Sequence, residues 1–218
     1  MKIKICGLTN LEDALAAVEV GADLLGFNFY PGSSRYIEPS RCAQITDALS
    51  EQRVVAVLVG VFVNEPAKAI DTVLRECGLH LAQLHGDETP EALERLEGRA
   101  YKAIRPRSAS EADMAARRFA HLGHSSGPAL LVDAFSEGHY GGTGRVGNWE
   151  VARRLAGKLP ILLAGGLTPD NVRSAIADVR PWGTDVASGV ESHPGQKDRK
   201  KMGAFVQAVR DFEHELMR

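Results

Sequence analysis

The chain repeats one local pattern eight times: a short apolar segment followed by an amphipathic one. In the first repeat, Lys2 to Cys6 alternates polar and apolar residues as a strand does, and Leu11 to Val18 has apolar residues at helical spacing. Gly21 follows where a helix C-cap glycine is expected. Strict strand–helix alternation requires parallel strands with right-handed crossovers. The chain is therefore predicted to belong to the α/β class.

The remaining repeats can be located along the sequence. The predicted strands after the first are ADLLGFNFY, VVAVLVGVF, LAQLH, AYKAI, ALLVDA, PILLAGG and GTDVASG. The predicted helices after the first cover residues 39–51, 65–77, 90–96, 111–122, 149–155, 169–176 and 198–216. Dividing 218 residues by eight gives about 27 per repeat, close to the size typical of a (β/α)8 barrel.

We therefore predict a single-domain (β/α)8 TIM barrel with parallel strands over residues 1–218. No linker rich in Pro, Gly or Ser separates the repeats. A doubly wound open sheet is the structural alternative, but it usually has fewer strands and a glycine-rich phosphate turn after the first one. Here the glycine clusters come late in the chain.

Composition restricts the partners and the compartment. With 25% charged residues and a net charge of −2, nothing favours nucleic acid or an anionic membrane as a partner. The three cysteines include no C-x-x-C pair, which indicates a reducing compartment and neither a disulfide framework nor a zinc site. The longest apolar run, at residues 54–63, is too short to cross a bilayer, and the first residues show no basic-then-apolar signal pattern. We expect a cytoplasmic monomer or homodimer.

Two late glycine clusters predict a phosphate site. AGGL contains Gly165 and Gly166, and ASGVE contains Ser188 and Gly189. They follow strands 7 and 8, where (β/α)8 barrels recurrently bind phosphate at the carboxyl ends of the strands. Glycines there bring backbone N–H groups close to phosphate oxygens, so a small phosphorylated substrate is expected. Alternatively, these glycines only form tight turns.

An acid and a base are expected at the same end of the barrel. Cys6 ends strand 1 and Asp133 ends strand 6. Such a pair can catalyse proton transfers without a metal, provided that the thiol pKa falls from about 8.5. Lys4 and Arg35 are the candidate cations for that effect. Taken alone, Cys6 would be a buried structural thiol, whereas a carboxylate that ends an apolar strand needs a partner.

Several segments resemble one family. KICGLTNLEDA, GADLLGFNFYPGSSRYI, QLHGDE, LVDAF with GGTGRVGNW, LAGGLTPDNV and DVASGVESHPGQKD are similar to the phosphoribosylanthranilate isomerases of tryptophan biosynthesis. The resemblance implies a cofactor-free Amadori rearrangement of N-(5-phosphoribosyl)anthranilate, with no metal. It implies that Cys6 is the general base, that Asp133 is the general acid and that Arg35 binds the anthranilate carboxylate.

Other assignments and alternatives stay open. His85 contacts substrate or orients a loop, and Asp185 orders the substrate diol or forms a structural pair. Gly141, Gly142 and Gly144 are predicted to form a lid loop. The histidine-pathway isomerase is a second candidate, but it is expected to use an aspartate at the position of Cys6 and a phosphate site in each half. A catalytically inactive barrel that binds a phosphorylated metabolite is the third.

Overall fold

The architecture is known from a computed structural model that describes residues 1–133 and 149–217. Eight parallel strands form a closed barrel in chain order, and the register from Lys2 opposite Gly183 to Ile5 opposite Val186 joins the first strand to the last. The predicted (β/α)8 barrel is therefore confirmed. The open-sheet alternative is excluded, because the sheet has no free edge between its first and last strands.

The bounds of the elements follow the predicted repeats closely. The barrel strands are β1 Lys2–Cys6, β2 Leu24–Asn28, β3 Val57–Phe62, β4 Leu81–Leu84, β5 Ala100–Ile104, β6 Leu130–Asp133, β7 Ile161–Ala164 and β8 Gly183–Val186. The α-helices are α1 Leu11–Glu19, α2 Pro39–Glu51, α3 Ala67–Glu76, α4 Pro90–Glu94, α5 Ala109–Phe119, α6 Trp149–Ala156, α7 Val172–Val179 and α8 Arg199–Leu216. Short 3₁₀ helices cover Ala120–Leu122 and Ser188–Val190.

Helix starts follow local capping chemistry. The Asn10 side chain accepts from the Asp13 backbone N–H at 2.8 Å, and Asp198 caps α8 in the same way. Helix α7 begins three residues later than predicted. The cause is a turn in which the Thr168 N–H donates to Asn171 Oδ1 at 2.8 Å, so the chain becomes helical only after Asn171.

The apolar core has two parts. The larger part lies between the barrel and the surrounding helices, and it includes Cys42 and Cys77, which are buried there. The smaller part fills the barrel interior with side chains from strands β2 to β7, such as Leu24, Val59 and Leu131. On α8, Met202, Phe205, Val209 and Phe212 form a buried apolar stripe. None of the described helices is long and apolar enough to cross a membrane.

A small antiparallel hairpin follows β8 and was not predicted. Its strands are β9 Glu191–His193 and β10 Gln196–Lys197. Thr9 donates to the Gly195 carbonyl at 2.7 Å, and the Lys197 N–H donates to Asp13 Oδ2 at 2.8 Å. These hydrogen bonds connect the hairpin that follows β8 to the loop after β1 and to the start of α1. Strands of three and two residues are too short to give a periodic sequence signal.

Candidate active site

A cavity of about 930 Å³ opens at the carboxyl ends of the barrel strands. The predicted site residues that line it are Cys6, Arg35, His85, Asp133, Gly165, Gly166, Asp185 and Ser188. Gly189 does not line it; a Cβ there would collide with the Leu167 carbonyl oxygen, so this glycine lets two loops approach each other. The predicted lid residues Gly141, Gly142 and Gly144 lie outside the described residues.

Cys6 shares the barrel interior with a buried ion pair. Lys4 precedes Cys6 by two residues on β1, so both side chains point inward. Lys4 Nζ lies 2.8 Å from Asp185 Oδ1, and the lysine side chain is fully buried. A Cβ added at Gly26 would be 2.7 Å from Cys6 Sγ and 3.1 Å from Lys4 Nζ. The glycine in β2 thus leaves the space that the thiol and the ammonium share.

Burial and the neighbouring charges shift the pKa values of Cys6 and Lys4. Burial raises the pKa of the Cys6 thiol, the Lys4 ammonium opposes the rise, and the Asp185 carboxylate adds to it. The pKa of Cys6 is therefore raised and does not show the fall that a catalytic base requires. Burial by itself would lower the pKa of Lys4, but its pairing with Asp185 raises that pKa above the ordinary value. Lys4 is thus a permanent cation beside the sulfur.

Asp133 lies at the rim of the cavity, in a different environment. Arg105 Nε donates to Asp133 Oδ2 at 3.1 Å, and the arginine side chain is 65% exposed. Arg105 Nη2 also lies 3.0 Å from His85 Nε2, which is 3.9 Å from Asp133 Oδ2. The sequence motifs gave Arg105 no role. Its position between an acid and a histidine depends on side-chain contacts that spacing does not reveal.

His85 is held in its neutral form. Burial and the neighbouring Arg105 guanidinium lower the pKa of His85 to about 4. Gln83 Nε2 lies 3.1 Å from His85 Nδ1, and the Tyr101 hydroxyl donates to Gln83 Oε1 at 2.9 Å. A chain of polar contacts therefore runs from the buried Tyr101 to Asp133 at the rim. His85 both lines the cavity and orients its neighbours.

The loop that carries His85 is fixed by a second buried ion pair. Lys102 Nζ lies 3.1 Å from Glu88 Oε2 and donates to the Gly86 carbonyl at 2.7 Å. Glu88 accepts from the Asn64 backbone N–H at 2.8 Å. Glu88, at the end of the QLHGDE segment, is therefore structural, and it helps to fix the loop that carries His85.

The expected phosphate site has the backbone geometry that glycine permits. Gly165 and Gly166 have φ values of +99° and +64°, which side chains with a Cβ rarely adopt. Ser188 opens a 3₁₀ turn on the adjacent loop and lines the cavity next to them. These observations are compatible with both earlier interpretations, because the glycines form tight turns and also line the cavity.

Arg35 reaches the cavity from the loop that follows β2. Gly7 has a φ of +76°, and a Cβ there would be 2.5 Å from Arg35 Cδ. The guanidinium forms two hydrogen bonds with Glu191, from Nε to Oε1 at 2.8 Å and from Nη2 to Oε2 at 2.6 Å. Sequence reasoning did not identify this partner, because the hairpin that carries Glu191 was not predicted. Gly7 is therefore required both by its backbone and by the arginine that lies against it.

Among residues 1–133 and 149–217, no group of three or more His, Cys, Asp or Glu is arranged to hold a metal ion. The described cavity combines a thiol, two carboxylates, three arginines and glycine turns at the mouth of a closed barrel. This combination defines the class of (β/α)8 barrel enzymes that bind small anionic substrates.

The chain belongs to the N-(5'-phosphoribosyl)anthranilate isomerase family, whose family model matches residues 3–208. The isomerase of Trichlorobacter lovleyi is 48% identical over 212 residues, which cover 97% of this chain and 98% of that protein. The crystal structure of the Thermotoga maritima isomerase superposes with a TM-score of 0.85 at 38% identity and covers 97% of this chain and 99% of that one. The resemblance predicted from the motifs is thereby confirmed.

A further solved isomerase structure contains reduced 1-(o-carboxyphenylamino)-1-deoxyribulose 5-phosphate. It superposes with a TM-score of 0.83 at 36% identity, covering 97% of this chain and 99% of that chain. That ligand carries a phosphate and an aromatic carboxylate, the two anionic groups expected from the sequence.

Proposed function

We propose that this protein catalyses the isomerisation of N-(5'-phosphoribosyl)anthranilate in tryptophan biosynthesis, without a cofactor. The observation that carries the proposal is that Cys6 and Asp133, from β1 and β6, line one cavity together with Arg35 and the glycine turns. A base, an acid and two anion-binding groups are the minimum for an acid–base rearrangement of a substrate with a phosphate and a carboxylate.

Binding is assigned to the two ends of the cavity. The backbone N–H groups around Gly165, Gly166 and Ser188 bind the phosphate, because these turns have no Cβ at the two glycines. Arg35 binds the anthranilate carboxylate, for which a planar guanidinium is suited. Asp185 lines the cavity and accepts from a sugar hydroxyl in addition to its pairing with Lys4.

Ring opening comes first. Asp133, in its acid form, donates its proton to the ribose ring oxygen. The bond between C1′ and that oxygen breaks as the nitrogen lone pair forms a C1′=N iminium. The former ring oxygen becomes a hydroxyl group, and Asp133 becomes a carboxylate whose charge Arg105 offsets at 3.1 Å.

Proton transfer from carbon follows. Cys6, as the thiolate, removes the proton from C2′, and the electrons of that C–H bond neutralise the iminium to give an enolamine. Protonation at C1′ and loss of the C2′ hydroxyl proton complete the amino-ketone, so no atom is gained or lost overall. Lys4 stabilises the thiolate by its charge, which opposes the effect of burial without cancelling it.

The test is an assay that follows loss of the anthranilate-adduct fluorescence. We expect turnover of phosphoribosylanthranilate and little or none of the histidine-pathway substrate tested alongside. Activity on the latter alone would contradict the proposal, and tight binding of the reduced product analogue without turnover would favour an inactive metabolite-binding barrel. The expected monomer or homodimer and the cytoplasmic location remain predictions.

A further inference from the structure

The Arg35 guanidinium is held by a buried charge cluster that we name the Glu191 clamp: Arg35, Glu191 and Lys197. Glu191 Oε1 accepts from Arg35 Nε and from Lys197 Nζ, each at 2.8 Å, and Oε2 accepts from Arg35 Nη2 at 2.6 Å. The Glu191 side chain is 5% exposed and that of Lys197 is fully buried. One carboxylate therefore serves two cations.

The clamp determines which edge of the guanidinium remains for a ligand. An arginine offers a carboxylate two bidentate edges, one formed by Nε with Nη2 and the other by Nη1 with Nη2. Glu191 occupies the first edge, so the second is left while Arg35 lines the cavity. The Arg35 stem has little freedom to turn, because it lies against Gly7.

The Glu191 clamp also carries a net positive charge that a ligand can neutralise. Two cations and one carboxylate give a net charge of +1, which matches a single carboxylate. Lys197 donates further to the Ala187 carbonyl at 3.2 Å, and Lys201 Nζ donates to the Glu191 carbonyl at 2.7 Å. Glu191 is thereby fixed by its own backbone as well as by its side chain.

We propose that Glu191 is a positioning residue that presents the Nη1/Nη2 edge of Arg35 to the carboxylate on the aromatic ring of the substrate. This inference rests on the proposed function. It assigns Glu191 no contact with substrate, and its effect is confined to ligands that carry that carboxylate.

Two stable ligands test it by calorimetry. One is the reduced product analogue, which carries the carboxylate, and the other is its phenylamino counterpart, which lacks it. The ratio of their Kd values in the wild type measures how much the carboxylate contributes to affinity. The same ratio in Arg35→Met shows how much of that contribution persists without the guanidinium.

Glu191→Asp is the main variant, because it keeps the charge that Lys197 requires and shortens the side chain by one methylene. We expect about a tenfold weaker Kd for the carboxylate-bearing ligand, since hydrogen bonds to charged groups depend on alignment. The Kd of the phenylamino ligand should stay within about twofold. In the double variant with Arg35→Met, the Asp substitution should change neither Kd further.

Several outcomes would overturn the inference. An unchanged Kd ratio in Glu191→Asp would show that Arg35 does not depend on Glu191, and equal weakening of both ligands would show a merely structural role. A variant that fails to fold would be recognised by its melting curve; Glu191→Gln combined with Lys197→Met, which removes both buried charges, then gives the same ratio test. If the wild type binds neither ligand, the proposed function itself fails, which is a distinct result.

Discussion

The base and the acid of this barrel lie in contrasting surroundings. Cys6 shares a closed interior with a buried ion pair, whereas Asp133 lies at a rim where its arginine partner is 65% exposed. Burial raises the pKa of Cys6, and the Lys4 and Lys197 ammonium groups oppose that rise. Buried, fixed charges therefore surround the thiol, whereas the acid at the rim pairs with a side chain that solvent reaches. The following predictions test this contrast, in order of decreasing effect.

Cys6→Ala should lower kcat by about 10³–10⁴-fold, or roughly 4–5.5 kcal/mol, because the base is lost. The reduced product analogue should still bind. The matched control is Cys42→Ala, since Cys42 is buried on α2 outside the cavity and should leave kcat unchanged. Near-normal turnover in Cys6→Ala, measured by the fluorescence assay, would remove the thiol from the mechanism.

Replacing a cation by methionine should lower the free energy of unfolding by very different amounts in the two regions. Lys4→Met leaves Asp185 buried without its partner and should lower the free energy of unfolding by about 3–5 kcal/mol. Arg105→Met removes an exposed partner and should cost less than about 1 kcal/mol. Urea denaturation measures both values, and similar costs would show that the two regions do not differ as described.

Asp133→Asn should lower kcat by about 10²–10³-fold, or roughly 3–4 kcal/mol, because ring opening loses its proton donor. The fold should be retained, since the amide occupies the same volume. Asp113→Asn is the control: Asp113 lies on α5 and pairs with Arg154 at the surface, so its loss should not change kcat. Wild-type rates in Asp133→Asn would require another acid.

His85 gives a pH dependence of stability. Its pKa is about 4 in the folded protein against an ordinary 6.5, so the unfolded chain binds more protons between these values. Stability should therefore be complete above pH 6.5 and fall by about 3 kcal/mol as pH drops to 4. His85→Asn should lack this loss, whereas His193→Asn, at an exposed position, should retain it. Parallel pH profiles for wild type and His85→Asn would refute the assignment.

The architecture could be predicted from the sequence, but the active site could be predicted only in part. Hydrophobic period and capping residues are local signals, so the helix beginning at Pro39 and the strand Ala100–Ile104 match the prediction. Cys6, Arg35 and Asp133 were found because strand ends converge in a barrel and because their motifs resemble a family. Those signals identify the residues that line the cavity.

The contacts between these residues could not be predicted from local signals. The pairing of Lys4 with Asp185 joins residues 181 positions apart, and that of Arg35 with Glu191 joins residues 156 apart. Such contacts depend on register and side-chain direction across the closed barrel. The raised pKa of Cys6 likewise depends on burial, which the motif KICG does not specify.

The ion pair between Lys4 and Asp185 lies across the seam where β8 joins β1, since these two residues are register partners there. In a nascent chain that contains only the first seven strands, Lys4 and Cys6 therefore lack the Asp185 carboxylate, which lies on β8. Docking of the last strand both closes the sheet and completes the electrostatic environment of the sulfur. Contacts between such distant segments form late and slowly in folding. Catalytic competence should accordingly appear in the same kinetic step as barrel closure, and no N-terminal fragment should have it.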